Sequence, residues 1–395
     1  MGGARGTGGM DFRLSPQQQA LRQEVCRFLS QELGADHDSD PAPLPPGYLH
    51  HREFERKLGE RGWLSLNWPP QYGGSGRPTF DQFLVEEEIG LHGGPASDAL
   101  GRVIAAPIIL AFGSEEQRQE FLPRMARGEL AWCLGYTEPE AGSDLASAQT
   151  VARAEGDFYV VSGRKLYTSG AEFADLCLLV ARTDPTAPKH AGISLLAVPM
   201  SSPGVTVRPL YNLLGLHWFN EVTFDQVRVP RRYLIGPENG GWQILNSALG
   251  VERITVYRCF LHWRLFRGLL RWAREHDLGP GRGVVRQRLA DLAIGFEVAR
   301  LLLYRAVLMH DRGLDYRPQA AMVKLFNSEL AQRLYQVAVS LLGPYGSLRE
   351  GSPWAPWQGA VAHGYLSAVQ ETVGAGTSEV QRNIIALRGL GLPRG

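Results

Sequence analysis

The chain has 395 residues, 44% of them hydrophobic and 21% charged, a globular composition long enough for two or three packed domains. Its 41 basic and 40 acidic residues leave a formal charge of +1, so it lacks the broad basic field that dominates nucleic-acid binding and any global bias toward anionic membranes. No apolar run approaches the ~18 residues that span a bilayer. Lys57, Lys165, Lys189 and Lys324 are the only lysines, leaving 37 arginines, the mark of a GC-rich bacterial genome. Cys26, Cys133, Cys177 and Cys259 are widely spaced among apolar neighbours, which reads as reduced thiols rather than a disulfide frame. The ten histidines form no metal-spaced cluster, and no metal is predicted.

Residues 1–10 have no hydrophobic stretch of a secretory signal and read as a flexible leader, consistent with a cytoplasmic protein. Residues 11–128 read as a helical domain. Ser15-Pro16-Gln17-Gln18 is a capping box with proline at the first helical position, followed by Leu21, Val25, Phe28 and Leu29 at helical spacing. Pro41 to Pro46 interrupt the pattern, and Arg52 to Arg61 resumes it. Trp68-Pro-Pro-Gln-Tyr-Gly-Gly-Ser-Gly76 is a turn-rich loop, and Ser114-Glu115-Glu116-Gln117 is a second capping box.

From 129 to 235 the period changes. Phe158 to Val161, Leu176 to Val180, Ile193 to Val198, Val205 to Val207 and Val222 to Val229 are short β-branched runs separated by Gly, Pro, Asp and Ser. That is the rhythm of a small antiparallel barrel or sandwich. Helical spacing returns over 236–395, where Leu325, Leu330, Leu334, Val337 and Leu341 make an apolar face with Lys324, Glu329 and Arg333 off it. Segregated helical and strand blocks predict an α+β multi-domain fold rather than a doubly wound sheet. There is no strand–GxGxxG–helix fingerprint and no Walker loop, so a dinucleotide must be held by other means.

At the junction of the first two blocks stands Trp132-Cys-Leu-Gly-Tyr-Thr-Glu-Pro-Glu-Ala-Gly-Ser-Asp144, a polar loop that reads as an ornate turn or as a binding loop. This segment resembles the signature of the acyl-CoA dehydrogenase family, as does Gly374-Ala-Gly-Thr-Ser-Glu-Val-Gln-Arg382. Gly163-Arg-Lys-Leu-Tyr-Thr-Ser-Gly170 resembles the family's flavin-shielding strand, and Phe219-Asn-Glu-Val-Thr-Phe-Asp-Gln-Val-Arg-Val-Pro230 has the family's wording. The match runs from about Asp11 to Pro393 with the motifs in order.

The resemblance implies an N-terminal helical domain, a central antiparallel β-barrel and a C-terminal four-helix bundle, usually assembled as a dimer of dimers. It implies FAD as cofactor, an acyl-CoA or acyl-carrier thioester as substrate and an electron-transferring flavoprotein as acceptor. Carried onto this sequence, Tyr136, Thr137, Gly142 and Ser143 would lie along the flavin, with Ser143 also at the substrate. Tyr167, Thr168 and Ser169 would wall the flavin, where the family usually has tryptophan in place of Tyr167, and Thr377 and Glu379 would reach its adenosine half. The backbone N–H of Ala375 and a ribityl hydroxyl would stabilise the enolate-like thioester oxygen while a carboxylate takes the α-proton and the β-hydride passes to flavin N5.

Many family members place that carboxylate in a Tyr-Glu-Gly-Thr motif, but here the aligned residues are Gly374-Ala375-Gly376-Thr377. Other members carry it on the first long helix after the barrel, where this chain has Leu249-Gly-Val-Glu-Arg253. Glu252 is therefore the expected base and Arg253 matches a common family arginine, with Glu371 as the second candidate. The usual arginine-and-phenylalanine pair for the FAD pyrophosphate is not visible between Arg271 and Arg288, where Gly279-Pro-Gly-Arg-Gly283 forms a turn. Two alternatives stay open: a non-catalytic partner subunit of a heteromer, and a flavin oxidase on the same scaffold.

Overall fold

The computed structural model describes residues 13–34, 41, 51–95, 100–254, 258–276 and 281–393, with the side chains of 248–254, 258, 259 and 261 outside that description. The expected leader, most of the Pro41–Pro46 break and Gly279 therefore lie outside the described residues.

Both capping boxes form. Ser15 Oγ accepts the Gln18 N–H at 3.2 Å and Gln18 Oε1 accepts the Ser15 N–H at 3.0 Å, opening α1 (Pro16–Leu33). Its apolar positions Leu21, Val25, Phe28 and Leu29 are buried against α2 (Arg52–Glu60) and α3 (Thr79–Leu91). After α4 (Ala106–Phe112), Ser114 and Gln117 repeat the box at the start of α5 (Glu115–Ala126). The Gln117 amide also donates to the carbonyls of Arg232 and Leu234 at 2.6 and 2.8 Å, so this helix start is tied directly to the sheet.

The sheet comprises β1 (Trp132–Gly135), β2 (Val151–Glu155), β3 (Phe158–Lys165), β4 (Leu176–Arg182), β5 (Ile193–Pro199), β6 (Val205–Tyr211), β7 (His217–Pro230) and β8 (Leu234–Ile235). The strand order is β6-β7-β3-β2-β4-β5-β8, with β1 paired to β4. Where an antiparallel barrel is expected, the sheet is mixed: β1 and β2 run parallel to β4, and no ladder joins β6 to β8 among the described residues. The physical reason lies in β4 and β5, which are buried on both faces. Leu178, Val180, Leu195 and Ala197 face the helices, whereas Cys177, Leu179, Leu196 and Val198 face the second core of the sheet. Strands covered on both sides read as continuous apolar runs, and their direction is invisible in such a pattern.

The C-terminal helices are α6 (Gly241–Ile254), α7 (Arg258–Glu275), α8 (Arg282–Asp311), α9 (Arg317–Leu342), α10 (Ala360–Glu371) and α11 (Ser378–Ile384). Leu265 and Leu269 of α7, Leu292 and Phe296 of α8, Leu330 and Leu334 of α9, and Val361 and Ala368 of α10 share one core, a four-helix arrangement. Lys324 departs from expectation: it is buried on α9, with the Glu379 carboxylate of α11 near enough to feel its charge. Among the described residues, no helix is long and apolar enough to cross a membrane.

Candidate functional site

The loop after β1 and the chain beyond β3 are brought together by hydrogen bonds. The Leu166 N–H donates to the Thr137 carbonyl at 2.8 Å, and Lys165 Nζ donates to the Tyr136 carbonyl at 3.2 Å. Tyr136 and Thr137 are half-buried at the base of the loop, while Gly142 and Ser143 are exposed at its tip. A bridge between Glu138 and Ala141, with N–H···O distances of 3.0 and 3.1 Å, closes the turn between them.

On the other side, Tyr167 adopts a left-handed φ of 55° and is 61% exposed, its ring edge-on to Phe219 with centroids 6.0 Å apart. Thr168 is fixed by a reciprocal backbone pair with Asn220 at 3.0 and 3.1 Å, and Ser169 is half-buried beside it. The left-handed bend at Tyr167 thus leaves that residue exposed and the next one, Thr168, buried.

Behind this surface lies a buried ion pair. Lys165 Nζ is fully enclosed and lies 2.7 Å from Glu138 Oε1, whose carboxylate also accepts the Gln149 and Thr150 N–H groups at 2.6 and 2.9 Å. Burial raises the Glu138 carboxyl, but Lys165 and these N–H donors outweigh it and hold the group below the ordinary carboxylate range. Both residues stand inside segments recognised in the sequence, yet their pairing across 27 positions had no sequence signal.

The remaining predicted residues sit on the helical bundle. Glu252 and Arg253 lie on α6, with side chains outside the described residues. Ala375 (φ 55°) and Gly376 (φ 86°) form a left-handed turn between α10 and α11, and the Gln381 amide donates to their carbonyls at 3.3 and 3.0 Å. Thr377 caps α11 by accepting the Val380 N–H at 3.3 Å. Backbone donors at that helix start and the Thr377 hydroxyl hold the exposed Glu379 carboxyl below its usual value. Glu371, the second candidate base, faces His262: its Oε1 is 2.9 Å from Nε2, and the other ring nitrogen is 3.2 Å from the Tyr335 hydroxyl. The structure therefore joins residues 136–138 to 165–166 by hydrogen bonds, with Tyr167, Thr168 and Ser169 next along the chain, while the hydrogen bonds of 375–379 are local to the bundle.

One observation bears on whether this surface fits FAD. Thr168 is 1% exposed, and its hydroxyl has no hydrogen-bond partner among the described residues. A buried hydroxyl without a partner is costly, and a ligand with polar ring edges satisfies it. With the half-buried Thr137 hydroxyl and exposed ring of Tyr167, the residues fit a flat heteroaromatic group.

Sequence spacing gave no metal cluster, but Cys26 of α1, Glu88 of α3 and His92 just after α3 bring ligand atoms within 4.8 Å of one another. Arg22 already pairs with Glu88 at 2.5 Å and the Cys26 thiol donates to it at 3.2 Å, so its charge is matched within the protein. Cys133 and Cys177 are buried and form no disulfide among the described residues, and the Cys259 side chain lies outside them.

Sequence comparison matches three family descriptions along the chain: "Acyl-CoA dehydrogenase, N-terminal domain" over residues 15–129, "Acyl-CoA dehydrogenase, middle domain" over 133–227 and "Acyl-CoA dehydrogenase, C-terminal domain" over 239–390. Acyl-CoA dehydrogenase FadE26 of Mycobacterium tuberculosis is 34% identical over 399 residues, covering 98% of this chain and 99% of that protein. Among solved structures, a Tcur3481-Tcur3483 steroid ACAD superposes with a TM-score of 0.88 at 32% identity, covering 98% of this chain and 100% of the other. The ChsE4-ChsE5 complex from Mycobacterium tuberculosis superposes with a TM-score of 0.86 at 34% identity, again over 98% and 100% of the two chains. The chain belongs to the acyl-CoA dehydrogenase family, oxidoreductases that use FAD.

Proposed function

We propose that the protein introduces an α,β-trans double bond into an acyl-CoA thioester, with Glu252 as the base. The observation that supports this reading is the hydrogen-bonded junction of residues 136–138 with 165–166, beside a buried Thr168 hydroxyl that has no hydrogen-bond partner among the described residues. Tyr136, Thr137, Gly142, Ser143, Tyr167, Thr168 and Ser169 would hold the flavin, and Thr377 and Glu379 its adenosine half. Bound there, FAD supplies the acceptor for the β-hydride.

Glu252 stands on α6, the first long helix after the sheet, and would remove the weakly acidic α-proton; a less polar setting would bring its pKa toward neutrality. Arg253 follows it on the same helix, and Ser143 at the loop tip would meet the substrate. The Ala375 N–H would donate to the thioester oxygen, supported by the left-handed turn that places it beyond the end of α10. Domain divisions near Glu129 and Gly236 accompany this reading.

We also propose a bulky, ring-bearing acyl group. Gly374, Ala375 and Gly376 put no large side chain where many family members carry tyrosine and glutamate, and a 32%-identical relative is a steroid ACAD. The relatives that are two-protein complexes support assembly with an unlike subunit. So do Ile294, Val298 and Leu301, exposed at helical spacing on α8, and Tyr365, Val369 and Val373 on and just after α10.

The test is an anaerobic screen of straight, branched and steroid-bearing acyl-CoAs for bleaching of the flavin band. Bleaching by ring-bearing thioesters, with electrons passed to an electron-transferring flavoprotein and no peroxide formed in air, is the expected result. Peroxide on turnover would identify an oxidase, and a colourless protein that takes up no FAD would identify a non-catalytic partner subunit.

A further inference from the structure

We infer that the buried Lys165–Glu138 pair positions the cofactor-facing surface by locking the loop after β1 onto the end of β3; this rests on the reading above. Glu138 immediately follows Tyr136 and Thr137 in the chain, and Lys165 precedes Tyr167 and Thr168 by two and three residues. Every group that would face the flavin from this domain is therefore within a few residues of one partner of the pair.

The bonds run in three directions. The ammonium reaches Glu138 at 2.7 Å and the Tyr136 carbonyl at 3.2 Å, fixing the base of the loop. The carboxylate takes the Gln149 and Thr150 N–H groups at 2.6 and 2.9 Å, fixing the entry to β2. The Leu166 N–H, next to Lys165, donates to Thr137 at 2.8 Å and completes the lock. Tyr167 then takes a left-handed φ of 55°, a conformation that a non-glycine residue keeps only where its neighbours over-determine it. Lys165 on one side and the Thr168–Asn220 backbone pair on the other supply that constraint.

A pair serving stability alone would be a poor choice for this place. Burying both charges is expensive, and apolar residues of like volume commonly do as well or better. What apolar residues do not supply is directed bonding to the Tyr136 carbonyl and to two backbone N–H groups. Geometry, rather than stability, is what the pair adds.

The test uses the full-length protein with Lys165→Met, Glu138→Gln and the double variant, which leaves no unmatched buried charge. Amide exchange is measured on the apoprotein, and FAD affinity by titration. In the double variant we expect faster exchange over residues 131–143 and 163–171, with β4 and β5 unchanged. FAD affinity should fall by about tenfold, the scale of one or two lost hydrogen bonds. Normal exchange and FAD affinity with only a lowered melting temperature would overturn the inference, as would failure of all three variants to fold, because either result makes the pair simply structural. If the wild-type protein takes up no FAD, the proposed function fails, while the exchange measurement still decides the positioning role.

Discussion

Replacing Thr168 with valine should change the stability of the apoprotein and its affinity for FAD in opposite directions. The residue is 1% exposed and its hydroxyl has no partner among the described residues, so the folded chain carries a desolvated polar group. Leaving such a group unsatisfied costs about 1–3 kcal/mol, and valine keeps the shape while removing the hydroxyl. The Thr168→Val apoprotein should therefore be more stable, by about 1 kcal/mol in urea unfolding. With FAD bound, the hydroxyl would gain a partner worth about 0.5–1.5 kcal/mol, so the variant should bind FAD roughly two- to tenfold more weakly. Flavin fluorescence titration reads the second number. A destabilised apoprotein with unchanged FAD affinity would refute the reasoning, because the hydroxyl would then belong to the protein's own hydrogen bonding.

Other perturbations test the framework around the site. Asp311 accepts the Thr79 and Phe80 N–H groups at 2.8 and 2.9 Å, so Asp311→Ala should destabilise the fold by about 2 kcal/mol at pH 7. Burial raises that carboxyl, but His310 and these N–H donors outweigh it and hold it below its usual range. The contribution is thus fully present above the unfolded carboxyl's pKa of about 4 and is lost as pH falls through the lower folded value; urea midpoints of variant and wild type should converge in acid. A methyl group at Gly364 would stand 1.9 Å from the Tyr335 ring, so Gly364→Ala should lower stability by about 1–3 kcal/mol in a melting experiment. Glu371→Gln can still bond to His262 and should retain substrate-dependent bleaching; its loss would move the base from α6 to α10.

The sequence revealed most where structure is local. Both capping boxes, the helical stripe of α1 and the five longer strands follow from spacing and residue type, because those signals act over a few positions. The parallel direction of β1 and β2 was not legible, since β4 and β5 are buried on both faces and give no facing pattern. Nor was the burial of Lys324 on α9, a tertiary effect with no local signal. At the site, the four motifs drew attention to particular stretches of chain, but they did not show that Glu138 and Lys165 meet or that His262 engages Glu371. Those contacts are set by tertiary packing between residues 27 and 109 positions apart.

The central claim is that Glu252 on α6 removes the α-proton in FAD-dependent dehydrogenation of an acyl-CoA. Anaerobic stopped-flow mixing with a substrate from the acyl-CoA screen tests it most directly, comparing the wild type with Glu252→Gln. The account predicts rapid loss of the flavin band in the wild type, and a variant that holds FAD and ligand but does not bleach. Bleaching of the variant at the wild-type rate would contradict it.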